Sequence, residues 1–208
     1  MKLLFPYQEP RKIQNALMAQ ISSCIENKQN LIAHAPTGLG KTISFLAPAL
    51  PYAIEHNLTL FFLTPRHSQH HIVIETLKQI REKFNLNFKV VDFIGKRHMC
   101  LQPGVTDLPS SEFHDYCREL RKKDQCEFFL NLKNKPLKGL CLSQLDKPAH
   151  VEELNRICKS HALCPYEIAA LKGKEAKVII ADYFHVLSPT IRTSLFNRIQ
   201  KELSKSIV

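Results

Sequence analysis

The sequence predicts an α/β fold in which helices cover both faces of a parallel sheet, interrupted by a mainly helical insertion. Three observations carry this. Short apolar runs alternate with stretches of helical periodicity along residues 1–95, the pattern of strands joined by crossover helices. A glycine-rich loop stands where one such run passes into a helical stretch. Residues 96–175 break the rhythm with Cys, Lys and Pro, and it returns from Lys177 onward.

Ile13, Leu17, Ile21 and Cys24 recur at helical spacing, so residues 11–26 read as an amphipathic helix. Asn30 to Ala35 is a short apolar run bounded by turn residues and reads as a buried strand. Lys41 to Ile54 reads as a helix in spite of Pro48, and Leu58 to Leu63 as a second strand. Val73, Leu77, Ile80 and Phe84 define a second amphipathic helix, followed by a strand from Lys89 to Phe93. Residues 96–175 carry only short helical segments and read as an insertion with its own packing. Val178 to Asp182 is another buried strand, and a helix follows near Pro189 to Leu203. Ser206-Ile207-Val208 opens a further strand, so residues 176–208 return to the first unit. No internal repeat and no linker is evident.

A chain of 208 residues has room for one ordinary domain or one and a half. With 44% apolar and 23% charged residues it is neither collagen-like, low-complexity nor wholly disordered. No apolar run approaches the ~20 residues of a membrane helix, and Met-Lys-Leu-Leu-Phe-Pro does not open a signal peptide. A cytoplasmic protein with no membrane partner is expected. Lys and Arg number 29 against 19 Asp and Glu, a formal net charge of +10. That surplus favours a polyanionic partner, although many basic proteins have none. Seven cysteines in a reducing compartment favour metal or cluster ligation over disulfides.

The sharpest motif is Ala35-Pro36-Thr37-Gly38-Leu39-Gly40-Lys41-Thr42. Between a strand and a helix, small residues let backbone N–H groups wrap a β-phosphate, and the helix N-terminus adds its positive dipole end. Lys41 is placed to reach the β- and γ-phosphates, and the Thr42 hydroxyl to hold Mg²⁺. ATP and Mg²⁺ are therefore the expected ligands. A chance Gly-rich turn is the bland alternative.

Cys100, Cys117, Cys126 and Cys164 lie in or at the end of the insertion, the last followed by Pro165-Tyr166. A segment poor in aliphatic residues gains from four thiolates on one metal centre. Spacing does not separate an iron–sulfur cluster from zinc, though the absence of tight Cys-x-x-Cys pairs weakens a zinc ribbon. Cys141 and Cys158 compete as ligands, Cys24 reads as a core residue, and unrelated buried thiols remain an alternative.

At this point the chain resembles the XPD/DinG/FancJ iron–sulfur DNA helicases of superfamily 2, and most of all their compact archaeal XPD-type members. Phe5-Pro6-Tyr7, Arg11 and Gln14 resemble the family's start and adenine-side motif, and Ala35 to Thr42 its motif I. Leu63 to His70, with Thr64, Arg66, Ser68 and Gln69, resembles motif Ia. Gly95-Lys96-Arg97-His98-Met99-Cys100 is similar to the start of the cluster domain, and Leu163-Cys164-Pro165-Tyr166 to its end. Val178 to Leu187 resembles the strand that returns from that domain. The resemblance covers essentially the whole chain. It implies a RecA-like motor domain, an ATP-driven 5′→3′ DNA helicase acting in DNA repair, and a 4Fe–4S cluster on the four cysteines. It further implies Tyr7, Arg11 and Gln14 beside the nucleotide, and Thr64, Arg66, Ser68, Gln69, Lys96, Arg97 and Tyr166 near single-stranded DNA.

The chain departs from the family in having no Asp-Glu-Ala-His quartet. Residues 1–95 and 176–208 then correspond to an incomplete first motor domain and 96–175 to the cluster insertion, with the second motor domain in the same or a partner chain. Such a piece is expected to lack ATPase activity by itself. Ala169-Ala170 replaces a basic residue of many relatives. The run Arg118, Arg121, Lys122, Lys123, Lys133, Lys135 and Lys138 reads as a DNA track or as a solvated helix face, and Tyr166 as a base-stacking ring or a lid over the metal centre. Two other functions compete: a P-loop phosphotransferase, and a non-catalytic cluster- or zinc-bearing nucleic-acid-binding protein with a vestigial phosphate loop.

Overall fold

The computed structural model describes residues 2–208. Helix α1 (Lys12–Glu26) leads through an irregular segment to α2 (Lys41–Glu55). Then come β1 (Thr59–Leu63), α3 (His67–Lys83) and β2 (Val90–Asp92). The insertion contributes α4 (Ser110–Lys122), α5 (Glu127–Leu130), α6 (Lys135–Gln144), α7 (Val151–Ser160) and α8 (Pro165–Glu175). The chain returns as β3 (Val178–Ala181), α9 (Phe184–Leu187), α10 (Pro189–Ile199) and β4 (Ser206–Ile207). The sheet is parallel throughout, in the order β2-β3-β1-β4. This is the predicted class.

Two apolar layers follow from the two-residue period of the strands, which sends successive side chains to opposite faces. Leu60, Val90, Val178 and Ile180 meet Met18 of α1, Leu46 and Leu50 of α2, and Val73, Leu77 and Ile80 of α3. Their neighbours Phe61, Val91, Ile179 and Ala181 face the other way, against Leu154 and Ile157 of α7, Ile168 and Ala169 of α8, and Leu195 and Phe196 of α10. Phe61 stacks on Phe196 with centroids 4.9 Å apart and planes at 7°. Each of the buried Val, Leu, Ile, Met and Phe side chains contributes about 1.5–3 kcal/mol. The expected separate packing of residues 96–175 is therefore corrected. From Cys141 to Ala170 the insertion is part of the sheet's own core, because its apolar residues share the cover of that face with α10.

Helix α2 runs through Pro48 and Pro51. Pro51 brings no N–H to the Ala47 carbonyl four residues earlier; the Leu4 N–H donates to it instead at 2.9 Å. The N-terminal segment is thereby tied to α2.

Two expectations are corrected. Asn30 to Ala35 forms no strand, and Ile32 is 99% exposed. A strand needs a neighbour for its N–H and C=O groups, and the edge strand β4 is only two residues long. The last helix stops at Ile199 instead of Leu203, where Gln200 takes a left-handed conformation with φ 55°.

Candidate functional site

The glycine-rich loop wraps the start of α2. Gly38 and Gly40 have φ of 79° and 83°, which a side chain resists. A Cβ on Gly40 would also stand 2.5 Å from Nε2 of Gln14. Gln14, nearly buried on α1, donates from Nε2 to the Leu39 carbonyl at 2.9 Å and accepts the Arg11 N–H at 2.8 Å. Arg11 donates from its guanidinium to the Gly38 carbonyl at 3.1 Å. The first turn of α1 thus supports the loop from behind. Lys41 is exposed and folds onto the loop, its Nζ donating to the carbonyls of Ala35 (3.1 Å) and Pro36 (2.9 Å). Thr42 is half-buried in the first turn of α2. Thr37 is exposed and Leu39 anchors the loop in the interior. Tyr7 is 45% exposed and lies edge-on to Phe5.

An open cleft of about 580 Å³ runs from Lys41 and Thr42 to Thr64, Gln69 and Tyr183. Arg66, Ser68 and Gln69 are exposed at the start of α3. Thr64 differs: it is buried, its hydroxyl accepting the Arg66 N–H at 3.1 Å and donating to the Arg66 carbonyl at 3.0 Å. Its side chain shapes the turn and is not presented to a ligand.

Cys100, Cys117, Cys126 and Cys164 line one small, partly open cavity together with Phe113, Phe128, Phe129, Lys96 and Tyr166. Cys100 follows a 3₁₀ turn (Lys96–Met99), Cys117 sits on α4, and Cys126 and Cys164 stand at the N-termini of α5 and α8. Burial pushes the Cys164 thiol up to about 12, against the Glu167 N–H that favours its thiolate. Burial likewise raises Cys100, against the Gln102 N–H. No three of the four sulfurs lie mutually within 4.8 Å. Among the described residues the cavity's surroundings from 96 to 134 bury few apolar side chains: Met99, Val105, Phe113 and Cys126.

Tyr166 is 9% exposed, with Lys96 Nζ 5.4 Å and the Arg198 guanidinium 5.7 Å from its ring centroid. The ring lines the thiol cavity and leaves little surface exposed for stacking on a base. Arg97 is half-buried, with a guanidinium nitrogen bonded to the Leu108 carbonyl. The basic run is also less free than its sequence suggests. Arg121 pairs with Glu167 at 3.3 Å and lies 3.8 Å over Phe129, while Arg118 pairs with Asp115 and Lys123 with Glu119. Cys141 and Cys158 are fully buried, 3.8 Å apart, and do not line the cavity. Absent from the sequence reading is a group of histidines around Asp92. The triplet His67, His70, His71 is visible in sequence, but its meeting with His150 depends on tertiary packing.

A phosphate-loop motif on a parallel α/β sheet, with four thiols of an inserted segment lining one cavity, marks the class as P-loop α/β. Comparison with known proteins narrows this. The DEAD_2 family matches residues 62–208, and the DEAD/DEAH box helicase family residues 11–103. The chain belongs to the DEAD_2 family, as an XPD-like superfamily 2 helicase segment. It is 25% identical to the general transcription and DNA repair factor IIH helicase subunit XPD/RAD3 of Saccharomyces cerevisiae, over 96% of this chain and 28% of that protein. A protein described as a probable ATP-dependent helicase of Methanocaldococcus jannaschii is 40% identical over 101 residues, 48% of this chain and 15% of that one. The human regulator of telomere elongation helicase 1 is 23% identical, over 90% of this chain and 18% of that protein. The solved structure of an XPD helicase superposes with a TM-score of 0.63 at 22% identity, over 97% of this chain and 32% of that one. The chain thus spans less than a third of the length of these relatives. ATP and Mg²⁺ fit a family with members so described, and no helix of the described residues is long and apolar enough to cross a membrane.

Proposed function

We propose that this chain is the N-terminal part of an ATP-dependent 5′→3′ DNA helicase of DNA repair, carrying a 4Fe–4S cluster on Cys100, Cys117, Cys126 and Cys164. One observation supports this above the others: four thiols from four separate points of the chain line a single cavity. Their spread favours iron–sulfur over zinc. Four thiolates tetrahedral about one Zn²⁺ at ~2.3 Å would stand about 3.8 Å apart, and no three of these lie mutually within 4.8 Å. A cluster places its thiolates on different irons and accepts a wider spread. Bound there, it cross-links residues 100–164 and needs no redox step.

In the phosphate loop, nucleotide phosphates take the place that the Ala35 and Pro36 carbonyls now hold at the Lys41 ammonium. Thr42 offers a hydroxyl to Mg²⁺, and Tyr7, Arg11 and Gln14 border the base side. Arg66, Ser68 and Gln69, with Lys96 and Arg97 near the thiol cavity, lie along the proposed path of single-stranded DNA. These 208 residues hold no Asp-Glu-Ala-His quartet, so the chain by itself binds nucleotide without turning it over; hydrolysis needs the remainder of the helicase. Anaerobic purification tests the proposal: a yellow-brown chain with four irons and four labile sulfides supports it, and a colourless chain with one zinc overturns the cluster.

A further inference from the structure

We propose that Glu167 is a positioning residue for the proposed cluster: braced by Arg198, it holds the Arg121 guanidinium in the wall of the thiol cavity as a fixed positive charge. This rests on the cluster reading above and extends it from the four cysteines to the charges around them.

Arg121 follows Cys117 by four residues on α4, so the two share a face of that helix. Its guanidinium lies 3.8 Å over the Phe129 ring, and Nη1 donates to Oε1 of Glu167 at 3.3 Å. Glu167 stands in the first turn of α8, three residues after Cys164 at the N-cap. Both of its carboxylate oxygens accept from Nη1 of Arg198 on α10, each at 2.6 Å. Arg121, Phe129 and Glu167 line the cavity with the four thiols; Arg198 stands outside that wall. One ionic bridge therefore runs from α4 through α8 to α10, joining the cavity to the sheet's own core.

Charge makes sense of the arrangement. Glu167 has only 13% of its side chain exposed. A carboxylate by itself beside four thiolates would repel them, and poorly solvated charges are weakly screened. Two arginines against one carboxylate reverse that sign and leave one positive charge in surplus at the wall. Thiolate ligands make a cluster site electron-rich, and net charge near a cluster sets its reduction potential. Arginine suits the position, since its planar fork can stack on Phe129 and pair with Glu167 at once. The same two contacts keep Arg121 from ranging over its rotamers as an exposed arginine does.

Potentiometric titration of the anaerobically purified chain tests this, the potential serving as a reading of charge. Arg121→Gln should lower the reduction potential, because a positive charge leaves the wall. Arg121→Lys keeps the charge and should shift it less. In a Glu167→Gln background, Arg121→Gln should move the potential less than half as far, because Arg121 is no longer held in place. Arg156→Gln removes an exposed charge of α7 outside the wall and should change nothing. Iron should pass to a chelator about threefold faster in Glu167→Gln and in Arg198→Gln, the worth of one partly exposed ion pair. A brown chain whose potential ignores Arg121→Gln, or moves equally in both backgrounds, would overturn the positioning role and leave the cluster standing. A colourless chain would overturn both.

Discussion

The phosphate loop and the thiol cavity are built on opposite plans. The loop is short, and its geometry comes from two left-handed glycines and two side chains of α1. Behind it lies a filled apolar layer of α2, α3 and the sheet. The cavity draws on four points between Cys100 and Cys164, and the segment around three of them has little core of its own. The loop is organised by the chain's own contacts; the proposed cluster would supply much of the order around the cavity. The insertion itself divides accordingly. Residues 135–175 hold to the sheet through many core side chains, whereas 96–134 reach that core mainly through Met99, with Leu101 and Leu132 against it.

The largest effect should come from breaking the cavity. Cys→Ser at 100, 117, 126 or 164 should bleach the protein and strip its iron, since a hard hydroxyl is a poor ligand for a soft centre. Structural zinc in small domains is worth about 10–16 kcal/mol. Without a contribution of that order only four buried apolar side chains hold this segment, so residues 100–134 should become protease-sensitive. Hydrogen exchange in α2 should stay as it was. Cys141→Ser and Cys158→Ser should keep the colour and lower stability by about 1–3 kcal/mol, because each leaves a polar hydroxyl in the core; Cys24→Ser should also keep the colour, and its half-buried site should cost little stability. Melting of α2 together with the cavity would end the contrast.

The joint between the regions should give the next effect. Asp92 binds α3 through His70 and α7 through the Val151 N–H, and Arg81 adds a 2.8 Å pair to Asp146. Asp92→Ala strands two buried partners and should cost about 3–5 kcal/mol in denaturant unfolding. A loss under 1 kcal/mol would mean the layers are not coupled there.

At the loop, Lys41→Ala should leave stability within about 0.5 kcal/mol, since the ammonium is exposed. It should weaken nucleotide binding about 10- to 100-fold, the worth of one charge-assisted hydrogen bond. Calorimetry with an ATP analogue reads this directly, and unchanged affinity would remove the phosphate-loop assignment.

What was legible in the sequence follows the same contrast. Gly38, Gly40 and Lys41 are adjacent, so their chemistry is written in one stretch. The alternation at Leu60-Phe61 and Val178-Ile179 foretold a sheet covered on both faces. Asn30 to Ala35 misled because strand pattern states a tendency and pairing requires a neighbour. Thr64 and Tyr166 carry the right chemistry for nucleic acid, but burial directs each inward. Spacing alone put Cys141 and Cys158 level with the other thiols; only packing separates them. His150 is 79 residues from His71, a distance no local pattern bridges.

The smallest effect should fall on Gln14, and it tests how the loop is pre-organised. Its amide is the one buried side chain from α1 that reaches the loop, satisfying the Leu39 carbonyl and the Arg11 N–H together. Gln14→Ala leaves that carbonyl without its partner, a cost of about 1–2 kcal/mol, and frees the space that a Cβ on Gly40 would otherwise clash with. Thermal unfolding should show the loss. Nucleotide affinity should fall less than in Lys41→Ala, since no phosphate contact is removed and only the ordering of the loop is. Gly40→Ala alone should be worse than Gln14→Ala, because it combines strain at φ 83° with the 2.5 Å approach. In the double variant the approach is relieved and the strain remains, so the two losses should sum to more than the measured one. Strict additivity would show that Gln14 does not press on the loop.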